Sequence, residues 1–291
     1  MRQNSRRNGE NSETVNESEG TMLFKQSCLN QREGPAPPLP CRRNAGIFTL
    51  IELMLTIAVI AILAMLLLPA LNKARQLSQK TGCISNLKQI GTAVALYQTD
   101  NKTYLPVTYI WSKGGRPPLL IYYVTWDDLL GGGYDGRHLT KRQQEFPLLK
   151  PGEGGNSTIY RCPAYKLNPE QAIRSYRVNV SRYGSSKSFP DELTGVAANN
   201  NSACDSMIPN PSGTIMLGEY SIRNHQVGSN SGWKIETPSP NMRNDDKKFP
   251  HQNQNGYLFC DGHVMMLRYQ ETIGKGTLDK PLGMWTRRAG D

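Results

Sequence analysis

From Ile47 to Leu71 the chain reads IFTLIELMLTIAVIAILAMLLLPAL, apolar at nearly every position and uncharged from Leu53 to Leu68. Such a run reaches the roughly 20 residues that cross the hydrocarbon core of a bilayer. It predicts a helix whose transmembrane part covers about 48–70. Past Pro69 the pattern becomes amphipathic. Leu71, Ala74, Leu77, Ile84, Leu87, Ile90, Val94 and Tyr97 recur at three- and four-residue spacing, with Lys73, Gln76, Lys80, Lys88 and Gln89 on other faces. The two stretches predict one continuous helix over 48–98, kinked near Pro69 by a missing donor and a ring clash. Gly82 and Gly91 weaken it locally, each by about 1 kcal/mol relative to Ala.

The segment before the helix, 1–47, is polar and rich in Asn, Ser, Glu and Arg at its start, which leaves it without the apolar residues needed for a core. It is expected to be a disordered basic leader, with Pro35 to Pro40 as an extended spacer, Arg42-Arg43 as a positive flank and Met22 as an internal start. After Asp100 the composition shifts to Gly, Pro, Asn, Tyr and short apolar runs. Turn signals lie at Lys113 to Pro118, Gly131 to Gly133 and Pro151 to Gly155. Trp126 to Leu130 suggests a brief helix and Thr214 to Tyr220 a strand. Gly256 to Cys260 and His263 to Leu267 suggest a hairpin closed by Asp261-Gly262 as a two-residue type I′ turn. The fold class is therefore α+β: a long N-terminal helix whose second half packs on a small antiparallel sheet with long loops, residues 99–291 forming one β-rich domain.

Charge changes little. The net charge of +10 and pI near 9.3 would suit an anionic polymer, but no basic run exceeds two residues. Dispersed, solvated charge is the reading this supports, with no firm case for nucleic acid.

Glu52 changes more. An acid inside a spanning helix is costly and calls for a partner. If the chain is cut just before Phe48, the new amine sits one helical turn from Glu52, on the same face. Phe48-Thr-Leu-Ile-Glu52-Leu53, the apolar run, Pro69 and Asn72-Lys-Ala-Arg75 together resemble the cleavage and methylation segment of type IV prepilins and type II secretion pseudopilins. The resemblance implies that a prepilin peptidase removes the leader and methylates the new amine. It also implies that Glu52 pairs with an N-terminal amine during assembly with other subunits on an inner-membrane platform, leaving the N-terminus cytoplasmic and 99–291 exported. The family's residue before the cut is Gly, and here Ile47 separates Gly46 from Phe48. A cut after Gly46 keeps the small residue but turns Glu52 about 140° around the helix from the amine. A cut after Ile47 keeps Phe first and Glu fifth, and is favoured because that spacing serves assembly. A pilus, a secretion pseudopilus and a DNA-uptake filament all share this helix. A membrane-anchored binding domain or enzyme, using the helix only as a tether, is the alternative.

A second resemblance lies downstream. His251, nine intervening residues and Asp261-Gly262 are similar to the H-x9-DG motif of proteins that join a prepilin-type N-terminus to a domain of uncharacterised function. Cys83 to Gln89, Tyr97-x-x-Asp100-Asn101, Arg161-Cys162-Pro163 and Ser175-Tyr176-x-x-Asn179 agree with that group. His251 could ligate a metal with Asp261 or His263, but a histidine pinning a loop beside a turn is the favoured reading. No close ligand pair suggests zinc, and no metal or cofactor is expected. Nucleophile elbow, HExxH helix and phosphate-cradling loop are all missing, so no enzyme is expected. Cys28 and Cys41 fall in the leader. Cys83, Cys162, Cys204 and Cys260 permit up to two disulfides in an oxidising compartment, with Cys83 to Cys162 the pairing favoured because it would tie a Cys-Pro loop to the helix.

Overall fold

A computed structural model of the chain describes residues 49–111, 123–145, 158–165, 174–180, 195–197, 201–219, 234–235, 251–277 and 281–290. Gly46, Ile47 and Phe48 lie outside them, as does the leader.

Helix α1 spans Leu50–Asp100 without interruption at Pro69. Its apolar first half is long enough to cross a membrane, and that window is wholly exposed in the isolated chain. Burial begins later than the amphipathic pattern suggested. Leu71 and Leu77 remain 66% and 65% exposed, and the covered stripe consists of Cys83, Leu87, Ile90, Gly91, Ala93 and Val94. The two glycines read as weak points are points of close approach. A Cβ on Gly82 would lie 3.1 Å from Pro163 Cγ, and one on Gly91 would lie 3.0 Å from Leu258 Cδ1.

The stripe rests on a five-stranded sheet ordered β5-β3-β4-β6-β7, formed by Tyr176–Asn179 (β3), Ile215–Glu219 (β4), Lys234–Ile235 (β5), Asn255–Phe259 (β6) and Val264–Leu267 (β7). The sheet is mixed: β3 pairs in parallel with β5, while its other neighbours are antiparallel. A separate two-stranded ribbon joins Tyr109–Trp111 (β1) to Tyr123–Thr125 (β2), which leads into helix α2, Trp126–Gly131. Strand side chains alternate between faces. Tyr176, Val178, Leu217 and Leu258 therefore join the core under α1, whereas Tyr257 and Phe259 meet Tyr269 and Trp285 on the opposite face. Tyr269 begins the short helix α3, Tyr269–Thr272, and Trp285 Nε1 donates to Thr272 Oγ1 at 2.7 Å.

The hairpin of β6 and β7 falls where the sequence indicated, but its turn is different. Leu258 pairs with Val264, and the Gly262 amide donates to the Phe259 carbonyl at 2.9 Å. Gly262 is at φ +87° while Asp261 is absent from the positive-φ residues. This is a three-residue loop with glycine in the left-handed position rather than a type I′ turn. Both central residues are at positive φ one turn earlier, in His251-Gln252-Asn253-Gln254, where Gln252 is at +54° and Asn253 at +64° and the Gln254 amide donates to the His251 carbonyl.

Candidate functional site

At the start of α1, Thr49 and Glu52 form a reciprocal capping box. Glu52 Oε2 accepts from the Thr49 amide at 2.9 Å and its hydroxyl at 2.8 Å, while the Glu52 amide donates to Thr49 Oγ1 at 3.3 Å. The T-x-x-E pattern explains this locally, since two otherwise orphaned amides are satisfied. Glu52, expected from the sequence to serve assembly, thus also starts the helix. The side chain is exposed, and Leu50, Ile51, Leu53, Met54 and Leu55 around it are exposed as well.

The second site is buried, under the other end of the helix. Register brings Tyr176 of β3 opposite Glu219 of β4, with β6 hydrogen-bonded to the far side of β4. Glu219 shares the face of Leu217 and therefore points at α1, where Cys83 supplies the first residue of the covered stripe. Cys162 arrives from the turn after the 3-10 segment Thr158–Tyr160, held by its amide donating to Ser175 Oγ at 3.0 Å. His251 arrives from the positive-φ turn before β6. That turn is fastened to the helix by Gln252 Nε2 donating to Gln76 Oε1 at 3.1 Å and by Lys80 Nζ donating to Gln254 Oε1 at 2.7 Å.

Cys83 Sγ, Cys162 Sγ, one Glu219 carboxylate oxygen and one His251 ring nitrogen lie within 4.8 Å of one another, all four residues buried. Cys83 Sγ donates to Glu219 Oε2 at 3.5 Å, His251 Nε2 is 3.3 Å from Cys162 Sγ, and the same nitrogen is 3.5 Å from Glu219 Oε1. Around them, Tyr176 OH donates to Cys83 Sγ at 3.2 Å and the Gly256 amide to Glu219 Oε2 at 2.9 Å. Glu219 Oε1 accepts no hydrogen bond.

Electrostatics follow from this crowding. A hydrogen bond from Cys162 holds the Cys83 thiol below its usual range, against the upward push of burial and of Glu219. Cys162, the donor of that bond, is driven far up, with burial and the Glu219 charge adding to it. Burial pulls His251 down, but its polar contacts with Cys83 and Glu219 and their charges outweigh it, raising the imidazole to about 9. Tyr176 is pushed up by burial, then by Cys83 and Glu219.

The expected pair Cys83 and Cys162 is thus brought together, but as free thiols, like Cys204 and Cys260. His251 is in the cluster, whereas the DG half of its motif is elsewhere. Asp261 is partly exposed, and its Oδ1 accepts from the His263 amide at 3.0 Å and meets His263 Nδ1 at 2.5 Å. Glu219 escaped sequence reasoning. Its only signal was an acid closing the apolar run Ile215 to Gly218. Some of the residues quoted for the second resemblance meet here: Cys83, Cys162, Ser175, Tyr176 and His251 form or touch the cluster, and Asn86 Nδ2 donates to the Arg161 carbonyl at 2.8 Å.

Over 62 residues, 21% of its length, the chain is 45% identical to the type IV wide pilus major component PilA4 of Thermus thermophilus, covering 47% of that protein. Over 62 residues it is also 34% identical to the competence protein ComGC of Halalkalibacterium halodurans, covering 60% of it. The chain thus spans about half the length of the curated relatives it matches. Neither a protein-family profile nor a solved structure matches it.

Proposed function

We propose that this chain is a pilin-like structural subunit, processed by a prepilin peptidase and assembled through its N-terminal helix. The observation that carries this is a single carboxylate, Glu52, at the start of an apolar helix, in a chain with local similarity to a pilus component and a competence protein. Residues 1–47 are the leader, 48–98 the assembly helix with its membrane part at about 48–70, and 99–291 the displayed domain. Before assembly the helix sits in the inner membrane with its N-terminus cytoplasmic. Cleavage after Ile47, or after Gly46, frees an amine for methylation and for pairing with Glu52. Other pilin-like subunits and the assembly platform are the partners. Type IV pilus, secretion pseudopilus and DNA-uptake filament are the assemblies this helix suits. The exposed apolar face from Leu50 to Leu71 is what lipid, and then neighbouring helices, would cover.

The capping box sharpens the test. Glu52→Gln retains a side-chain acceptor for Thr49 but removes the charge, while Glu52→Ala removes both. A subunit that pairs Glu52 with an amine fails to enter filaments in both variants while still inserting in the membrane. A helix that is only a tether for a binding domain or enzyme tolerates Glu52→Gln, and that outcome contradicts the subunit assignment.

A further inference from the structure

We propose that Cys83, Cys162, Glu219 and His251 constitute a structural zinc site that fastens the second half of α1 to the sheet. This goes beyond the filament role and does not depend on it.

The donor set is the first argument. Two thiols and an imidazole suit zinc, and one carboxylate completes a four-coordinate set. Calcium and magnesium take oxygen ligands, and an iron–sulfur cluster takes four cysteines or two cysteines with two histidines, neither of which is the set gathered here. Geometry is the second. Bonds of about 2.0 to 2.3 Å at tetrahedral angles separate ligand atoms by about 3.3 to 3.8 Å. The contacts of 3.3 Å between Cys162 Sγ and His251 Nε2 and of 3.5 Å between His251 Nε2 and Glu219 Oε1 lie in that range, and one ligand atom from each of the four residues lies within 4.8 Å of the others. The third is Glu219 Oε1, a wholly buried carboxylate oxygen that has His251 Nε2 at 3.5 Å but no well-formed hydrogen bond, on the residue whose other oxygen is fixed by Gly256. A buried charge without a full set of partners is costly, and a cation supplies what it lacks.

The surroundings are those of a closed site. Tyr176 OH and the Gly256 amide hold Cys83 Sγ and Glu219 Oε2 from outside, as outer partners orient metal ligands. His251 is presented by two non-glycine residues at positive φ, a conformation that persists only where contacts over-determine it. With four ligands contributed by the protein, no position is left for substrate, which makes the site structural rather than catalytic. A cysteine-protease arrangement does not fit, because Nε2 of His251 faces both Cys162 and Glu219. The acid therefore cannot orient the ring through its other nitrogen. On binding, the two thiol protons and the proton on His251 Nε2 leave to solvent, the sulfurs coordinate as thiolates and the imidazole as a neutral ligand, with no change of oxidation state.

The test uses the full chain purified from membranes in detergent, without added metal. Elemental analysis is expected to find about one zinc per chain, as a four-ligand site requires, retained through dialysis and removed by a strong chelator. Cys83→Ser, Cys162→Ser, Glu219→Gln and His251→Gln each lose it, whereas Cys204→Ser and Cys260→Ser keep it. Because removal of a ligand can itself unfold the chain, wild-type chain is also exchanged with Co2+. Tetrahedral thiolate ligation then gives intense visible bands together with sulfur-to-cobalt charge transfer, which zinc abolishes. Sub-stoichiometric metal with no cobalt bands overturns the proposal. So does a Cys83–Cys162 disulfide in a non-reducing peptide map, or zinc that persists when both cysteines are replaced.

Discussion

Gly256 sits where Leu87, with Cys83 beside it, leaves no room for a side chain. A Cβ at 256 would come within 3.3 Å of Cys83 Sγ, and within 2.7 Å of Leu87 Cδ1, while the Gly256 amide is needed by Glu219. Helix and sheet meet here through backbone on one side and sulfur on the other. Gly256→Ala is therefore expected to cost about 1 to 3 kcal/mol, the usual range for overpacking a filled core. Chemical denaturation of the purified chain checks it. Unchanged stability would mean that α1 can shift off β6 without loss.

Gly262 offers the contrasting case. Nothing lies within 4 Å of a Cβ there, yet its φ is +87°. The cost of a side chain is conformational, roughly 1 to 2 kcal/mol for an L-residue in the left-handed region. Gly262→Val should exceed that and Gly262→Asn fall below it, since Asn tolerates this conformation and β-branched residues do not. Asp261→Asn should be mild, because an amide oxygen can still accept from the His263 backbone. Thermal melts of the three variants give the order.

How much of this was legible beforehand differs by element. The unbroken apolar run and the three- and four-residue spacing made α1 readable to within two residues of its end. The register of its covered stripe was not, because Leu71 and Leu77 continue the periodicity past the point where the domain stops covering them. Periodicity reports which positions share a face, not what lies against that face. The hairpin was readable from alternation and Asp-Gly. Its loop length was not, since Cys260 serves as a turn residue rather than as the end of the strand. The positive-φ pair Gln252-Asn253 carries no glycine, so no turn signal marked it. Within the buried cluster, Cys83 and Cys162 were joined by residue type alone. Glu219 was missed because 136 residues separate it from Cys83, and only the alignment of β3, β4 and β6 carries it beneath the helix.

Asp128 gives a pH prediction separate from the cluster. Burial, and then the neighbouring Asp127 charge, raise its carboxyl to about 8, against opposing hydrogen bonds from Thr125 and the Arg137 charge. In the unfolded chain it titrates near 3.8. The folded state therefore holds the extra proton between these values. Its stabilising effect is full below the unfolded pKa and is lost as pH rises through the folded one, with a slope of up to about 1.4 kcal/mol per pH unit. Asp128→Asn keeps an oxygen for the Thr125 amide, 3.0 Å from Oδ2, and removes the titration. Denaturant midpoints from pH 5 to 8.5 should fall more in wild type than in the variant. Parallel curves would show that Asp128 is charged in the folded chain.

Mass spectrometry of the mature N-terminus, on protein isolated from the membrane of a host with an active prepilin peptidase, tests the filament-subunit assignment most directly. The expected chain begins with N-methylated Phe48, which puts Glu52 one helical turn below the new amine, or with methylated Ile47 if the cut follows Gly46. A mature chain that retains Arg42-Arg43, or one cut beyond the apolar run, would contradict it.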